Sequence, residues 1–124
     1  MIKGKRIFIT GGAGFIANTL IKRLVENNQI VIFDNFHRDT FSGSDLYGNP
    51  NITVVKGDVL DYELVKSSME GADIVVHAAG IAGIDTVINN PVLTSRVNIL
   101  GTANVLEAAK ENNVKDRVID FSTS

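Results

Sequence analysis

The sequence contains no cysteine and no tryptophan, and it has only two prolines and two histidines. Without cysteine there is no disulfide framework, no thiolate zinc site and no cysteine nucleophile, and the composition suits a reducing compartment. A cytoplasmic location is the expectation. With His37 and His77 as the only histidines, no metal site is expected. No stretch approaches the ~18 to 20 apolar residues that a membrane-spanning helix needs. The start, MIKGKRIFITGG, passes from lysines and an arginine straight into a strand-like run without an apolar region or a small-residue cleavage site, which argues against export. Twelve basic and 14 acidic residues leave a formal net charge of −2 with no basic block, so a sequence-independent grip on nucleic acid is excluded. The expected partner is a small molecule, neither nucleic acid nor membrane.

What is present is one domain's worth of chain, residues 1–124, 44% hydrophobic and 21% charged. Apolar runs of strand length alternate with stretches of helical period, the signature of βαβ units. The pattern predicts strands at 6–10, 30–34, 52–56, 73–77 and 117–121, with helices at 14–27, 61–70 and 91–112. Asn90-Pro91 supplies a cap and a first-turn proline for the last helix. The segment 35–50, NFHRDTFSGSDLYGNP, reads as a long crossover loop with at most a short helical turn. Right-handed crossovers that reverse at the first strand give a doubly wound parallel sheet, a Rossmann fold, with five strands in the order 3-2-1-4-5 and helices on both faces. Ligands then bind at the carboxyl ends of strands one and four.

The glycines fall where that architecture needs them. In IFITGGAGFIANTL, Gly11 or Gly12 permits a tight turn, and Gly14 lets the backbone approach a pyrophosphate whose charge meets a helix N-terminus. The third position is Ala17, which favours helix over glycine by ~1 kcal/mol. Asp34 ends the second strand about twenty residues after Gly14, where a carboxylate accepts bonds from an adenosine ribose and repels a 2′-phosphate. NAD is therefore expected over NADP. Arg38 keeps the alternative open, since a guanidinium there could reach a 2′-phosphate, although His37 and Arg38 read more simply as a solvated loop.

Together with TGGAGFIA, the segments FDN (33–35), GDVLD (57–61), VVHAAG (75–80), VNILGTANVLEAA (97–109) and the terminal FSTS are similar to the NAD-dependent epimerase/dehydratase family of extended short-chain dehydrogenases/reductases, which acts on nucleotide-diphosphate sugars. The resemblance implies that Gly11, Gly14, Phe15 and Ile16 cradle the pyrophosphate, that Asp34 and Asn35 hold the ribose, and that Asp58 and Val59 meet the adenine edge. It further implies that Ala78, Ala79 and Gly80 line the cofactor and that Asn98 lies near the nicotinamide. Each has a plainer counterpart: Gly57-Asp58 as a turn with a capping carboxylate, and 78–80 as small residues where helix and sheet pack closely. Asn98, flanked by Val97 and Ile99, suggests a buried amide that needs partners. His77 is expected to be a hydrogen-bonded core residue.

By the same resemblance Ser124 supplies a catalytic hydroxyl to the sugar, the loop 80–88 lines the sugar, and a Tyr-x-x-x-Lys pair follows further along the chain. The one such spacing here, Tyr62 to Lys66, lies between strands three and four and reads as the first turn of an outer helix. The expectation is thus the cofactor half of an NAD-dependent nucleotide-sugar epimerase or dehydratase, inactive alone, its substrate a nucleotide-diphosphate sugar, forming a homodimer when intact. A non-catalytic NAD-sensing module is the alternative from another class. A flavodoxin-like domain is a third, disfavoured by the glycine loop followed by Asp34. The fifth strand is expected to form a bare sheet edge that promotes self-association.

Overall fold

The computed structural model describes residues 2–36, 41–78 and 91–120. Along the chain run β1 (Arg6–Thr10), α1 (Phe15–Leu24), β2 (Gln29–Asp34), β3 (Ile52–Lys56), α2 (Tyr62–Ser68), β4 (Ile74–His77), α3 (Pro91–Glu111) and β5 (Arg117–Asp120). The strands pair in parallel in the order β3-β2-β1-β4-β5, as the sequence predicts. Residues 121–124, including the predicted end of the fifth strand, lie outside the described residues.

Alternation along the strands builds two cores. Ile7 and Ile9 of β1, Ile30 and Ile32 of β2, and Ile74 and Val76 of β4 pack against Ala17, Ile21 and Val25 at α1. The intervening Phe8, Val31, Phe33 and Val75 pack on the opposite face against Val65 and Met69 of the α2 segment and Val105, Ala108 and Ala109 of α3. A strand buried on both faces is apolar at nearly every position, which is why RIFIT and QIVIFD read as continuous runs. The loop after β2 contributes more than a connection: Phe41 and Leu46 are buried in the α1-side core.

Element ends differ from expectation for identifiable reasons. α1 stops at Leu24, not Asn27, because the Asn28 amide donates to the Leu24 carbonyl at 2.8 Å and to the Ile2 carbonyl at 3.1 Å, while its oxygen accepts from Lys5 N–H at 3.0 Å. Other asparagines bridge elements in the same way. Asn51 donates to the Val25 carbonyl, Asn104 to Val59 and Asn112 to Lys66. α2 begins one residue late because Asp61 is its N-cap, accepting from Leu64 N–H at 3.2 Å.

Gly101 lies inside α3, where glycine costs ~1 kcal/mol relative to alanine. A Cβ there would sit 2.7 Å from Val59 Cγ2, so the glycine is what lets the helix approach the turn after β3. Gly101→Ala is expected to lower stability by about 1–3 kcal/mol through overpacking, measured by urea denaturation. A gain of ~1 kcal/mol would mean that helix propensity governs the position instead.

Candidate functional site

The order β2-β1-β4 places the reversal of the sheet between β1 and β4, and the loops leaving the carboxyl ends of these strands converge there. The strand ladders continue into the loops. Gly11 N–H donates to the Phe33 carbonyl at 2.8 Å, Gly57 N–H to Asp34 at 2.9 Å, and Ala78 N–H to Thr10 at 3.1 Å. Gly11, Asp34, Gly57 and Ala78 are thereby held along one rim of the sheet.

Within the glycine loop the three glycines have different tasks. Gly11 takes φ +70°, the left-handed turn that a side chain disfavours. Gly12 is buried with its missing Cβ only 2.6 Å from Ile32 Cγ2, so it serves the packing of loop on sheet. Gly14 is the N-cap of α1 in extended conformation, and a Cβ on it would meet the Gly11 carbonyl at 3.2 Å. No side chain caps α1 and its first turn carries no acidic residue, whereas Lys22 and Arg23 occupy its last turn. The start of this helix thus presents backbone donors and positive dipole without a carboxylate in competition. Ile16, 64% exposed, stands beside that opening.

Asp34 has a structural task that the sequence did not reveal. One carboxylate oxygen accepts from Ala13 N–H at 3.0 Å, and the other from Phe36 N–H at 2.7 Å. It therefore holds the glycine loop while turning its own chain into the left-handed Phe36, φ +62°. Each oxygen keeps a second acceptor position for a hydroxyl. Asn35 beside it is exposed.

The remaining predicted residues divide. Asp58 is exposed and its carboxylate accepts from Leu60 N–H at 2.9 Å, while Val59 is buried against α3 with its carbonyl bonded to Asn104. Asn98 is exposed on α3, not a buried amide as its apolar neighbours suggested, although it shares a helical stripe with Thr102 and the buried Val105. Phe15 is the first residue of α1. Ala79, Gly80 and Ser124, like His37 and Arg38, lie outside the described residues, as does the loop 80–88.

Tyr62 and Lys66 both belong to α2. Tyr62 packs partly against the second core. Desolvation pushes its hydroxyl above the ordinary value of 10.0, Lys66 lowers it less, and Glu111, Glu107 and Glu63 raise it further. A tyrosine acting as proton acceptor needs the opposite shift.

His77 was expected in the core, and it is buried there as one member of a chain of hydrogen bonds. Its Nδ1 lies 2.6 Å from Thr10 Oγ1, and its Nε2 lies 3.2 Å from Thr102 Oγ1, which donates to the Asn98 carbonyl at 2.6 Å. Burial lowers the His77 pKa from 6.5, with Asp120 on β5 opposing. Among the described residues no group of histidine, cysteine and carboxylate side chains could hold a metal, and no helix is long and apolar enough to cross a membrane.

Residues 7–124 match the family described as NAD dependent epimerase/dehydratase. The inverting UDP-N-acetylglucosamine 4,6-dehydratase of Campylobacter jejuni is 36% identical over 126 residues, covering 99% of this chain and 37% of that protein. Among solved structures, the epimerase Mth375 of Methanothermobacter thermautotrophicus superposes with TM-score 0.89 at 33% identity, covering 98% of this chain and 36% of that one. The Bordetella bronchiseptica enzyme WbmG, solved in complex with NAD, gives 0.86 at 30% identity over 98% of this chain and 38% of its own. The chain thus spans little more than a third of the length of the relatives it matches.

The direction of the His77 shift fixes a pH dependence. An imidazole whose folded pKa lies below its unfolded value leaves the unfolded state binding more protons in between. Its contribution to stability is complete above 6.5 and declines as pH falls from there to the lowered folded value. Urea denaturation between about pH 7.5 and 5 should show stability falling with pH for the wild type and a shallower fall for His77→Gln.

Proposed function

The chain belongs to the NAD dependent epimerase/dehydratase family, and on that footing we propose that residues 1–124 form the NAD-binding Rossmann portion of a nucleotide-diphosphate-sugar epimerase or dehydratase. The observation that carries this reading is the uncapped start of α1 at the sheet's reversal point, reached through the left-handed Gly11 and tied to the Asp34 carboxylate. A Cβ at position 14 would crowd the Gly11 carbonyl at 3.2 Å, so glycine there suits the tight turn that leads into α1.

In this reading Gly11, Gly14, Phe15 and Ile16 hold the pyrophosphate, Asp34 and Asn35 the adenosine ribose, and Asp58 and Val59 the adenine edge. Val59 takes part through its backbone, because its side chain is packed under α3. Ala78, Ala79, Gly80 and Asn98 line the nicotinamide side, and Ser124 hydrogen-bonds the sugar. NAD bound there would supply the acceptor and donor of hydride for chemistry at a sugar carbon. The names of the relatives support a nucleotide-linked sugar as substrate. Tyr62 sits on α2 against the second core with a pKa raised by desolvation, the direction that disfavours a proton acceptor, and the role assigned to residues 1–124 is cofactor binding.

The outer face of α3 supports assembly with further protein. Val92 is 73% exposed, Ile99 68% and Leu106 50%, at heptad spacing along the helix. Leu100 on the same helix and Val118 and Ile119 on the edge strand β5 are exposed as well, and the apolar stripe of α3 suits burial in a homodimer or against further protein.

Isothermal titration calorimetry tests the cofactor assignment. NAD should bind at least about tenfold more tightly than NADP, because the Asp34 carboxylate repels a 2′-phosphate. Asp34→Asn, which keeps one acceptor oxygen and removes the charge, should narrow that gap. Equal affinity for the two dinucleotides in the wild type would remove Asp34 from the ribose site.

A further inference from the structure

The chain of bonds through His77 deepens the cofactor reading, and it rests on that reading. The direction of each bond follows from the proton count. Thr102 has one hydroxyl proton, and it goes to the Asn98 carbonyl at 2.6 Å. Toward His77 the Thr102 oxygen can therefore only accept, so the proton of the neutral imidazole sits on Nε2. Nδ1 is left bare, and at 2.6 Å it accepts the Thr10 hydroxyl proton. The relay connects three elements: Thr10 is the last residue of β1 and directly precedes the left-handed Gly11, His77 is the last residue of β4, and Thr102 lies one helical turn after Asn98 on α3.

We propose that His77 is a positioning residue of the cofactor site: as a neutral imidazole protonated on Nε2, it ties the end of β1 to α3 and fixes the spacing between the glycine loop and the Asn98 turn. Thr10 and His77 are both buried, so water does not cheaply replace the bond between them. Protonation would put an N–H on Nδ1 facing Thr10, forcing that hydroxyl to turn its proton away at the base of the glycine loop. The groups facing the ring from β1 and α3 are neutral hydroxyls, and Asp120, which pairs in register with His77 across β4 and β5, is the charged group acting on it. The lowered His77 pKa accords with a ring kept neutral near pH 7.

The test uses the 124-residue chain in two measurements. Long-range proton–nitrogen NMR of the imidazoles, without cofactor, reads the tautomer and the titration. It should show Nε2–H for His77 with a midpoint below 6.5. Calorimetric NAD affinity is then followed from about pH 7.5 to 5 and should weaken about tenfold as His77 protonates, one unit of differential interaction. In His77→Gln, which keeps an N–H donor and cannot titrate, the affinity should be flat with pH. Thr102→Val, which removes the acceptor at little change in volume, should weaken binding at every pH. A purely structural histidine would leave the wild-type affinity flat. An Nδ1–H tautomer, an affinity independent of pH through the titration, or a slope that disappears in His37→Gln instead of His77→Gln overturns the proposal. Absence of NAD binding at any pH overturns the cofactor reading and the coupling with it, whereas the tautomer assignment is read without cofactor and stands or falls separately.

Discussion

The constraint on which the rest of this structure depends is the satisfaction of backbone groups where the parallel strands end. A strand that turns into a loop inside a covered sheet exposes donors and acceptors to a region without water, and each must find a partner. Here the ladder is carried one residue beyond the strands by Gly11, Gly57 and Ala78, and the Asp34 carboxylate takes the N–H groups of Ala13 and Phe36. Among the described residues no buried side-chain polar atom is left without a partner. With the rim settled in this way, the first turn of α1 can stay free of side-chain caps without the loop beneath it coming apart. A helix start left open on a rigid support is what an anion-binding turn requires.

Much of this was legible in the sequence because it rests on short-range rules. The strands announced themselves as apolar runs too continuous for a one-sided sheet, and the glycines followed a strand and preceded a helix. A reversal at the first strand, taken with right-handed crossovers, gave the strand order. Less legible were properties that depend on residues distant in sequence. Nothing local distinguishes Gly11, which needs its dihedral freedom, from Gly12, which needs the absence of a Cβ against Ile32. The asparagines that bridge elements look like ordinary loop or helix-surface residues until Leu24, Val25, Val59 and Lys66 are brought beside them. Asn98 was misjudged because its flanking valine and isoleucine suggested an interior position; it shares a helical stripe with Thr102 and the buried Val105 and Ala109, yet is itself exposed.

Asp34, expected as a ligand-binding residue, has a structural task in the folded chain. A carboxylate about twenty residues after the glycines was expected from ligand chemistry alone. In the folded chain the same carboxylate is also the clamp on Ala13 and Phe36. The binding task proposed for it is compatible with this structural one because a carboxylate offers more acceptor positions than the two N–H groups occupy.

The register of the central strand has a consequence for how the chain reaches this state. β1 pairs with β2 across a short separation, Arg6 beside Gln29, but its other edge waits for β4, Thr10 beside His77. During synthesis from the N-terminus, a three-stranded sheet of β3, β2 and β1 can assemble before β4 has emerged. Until then one of the most apolar strands of the chain is an open edge, with every N–H and C=O on that side unpaired. Closing the longer loop carries an added entropic cost and slows folding. The interval between β3 and β4 therefore leaves a nascent chain of this design open to pairing with a neighbour, and a chaperone that shields strand edges would act there.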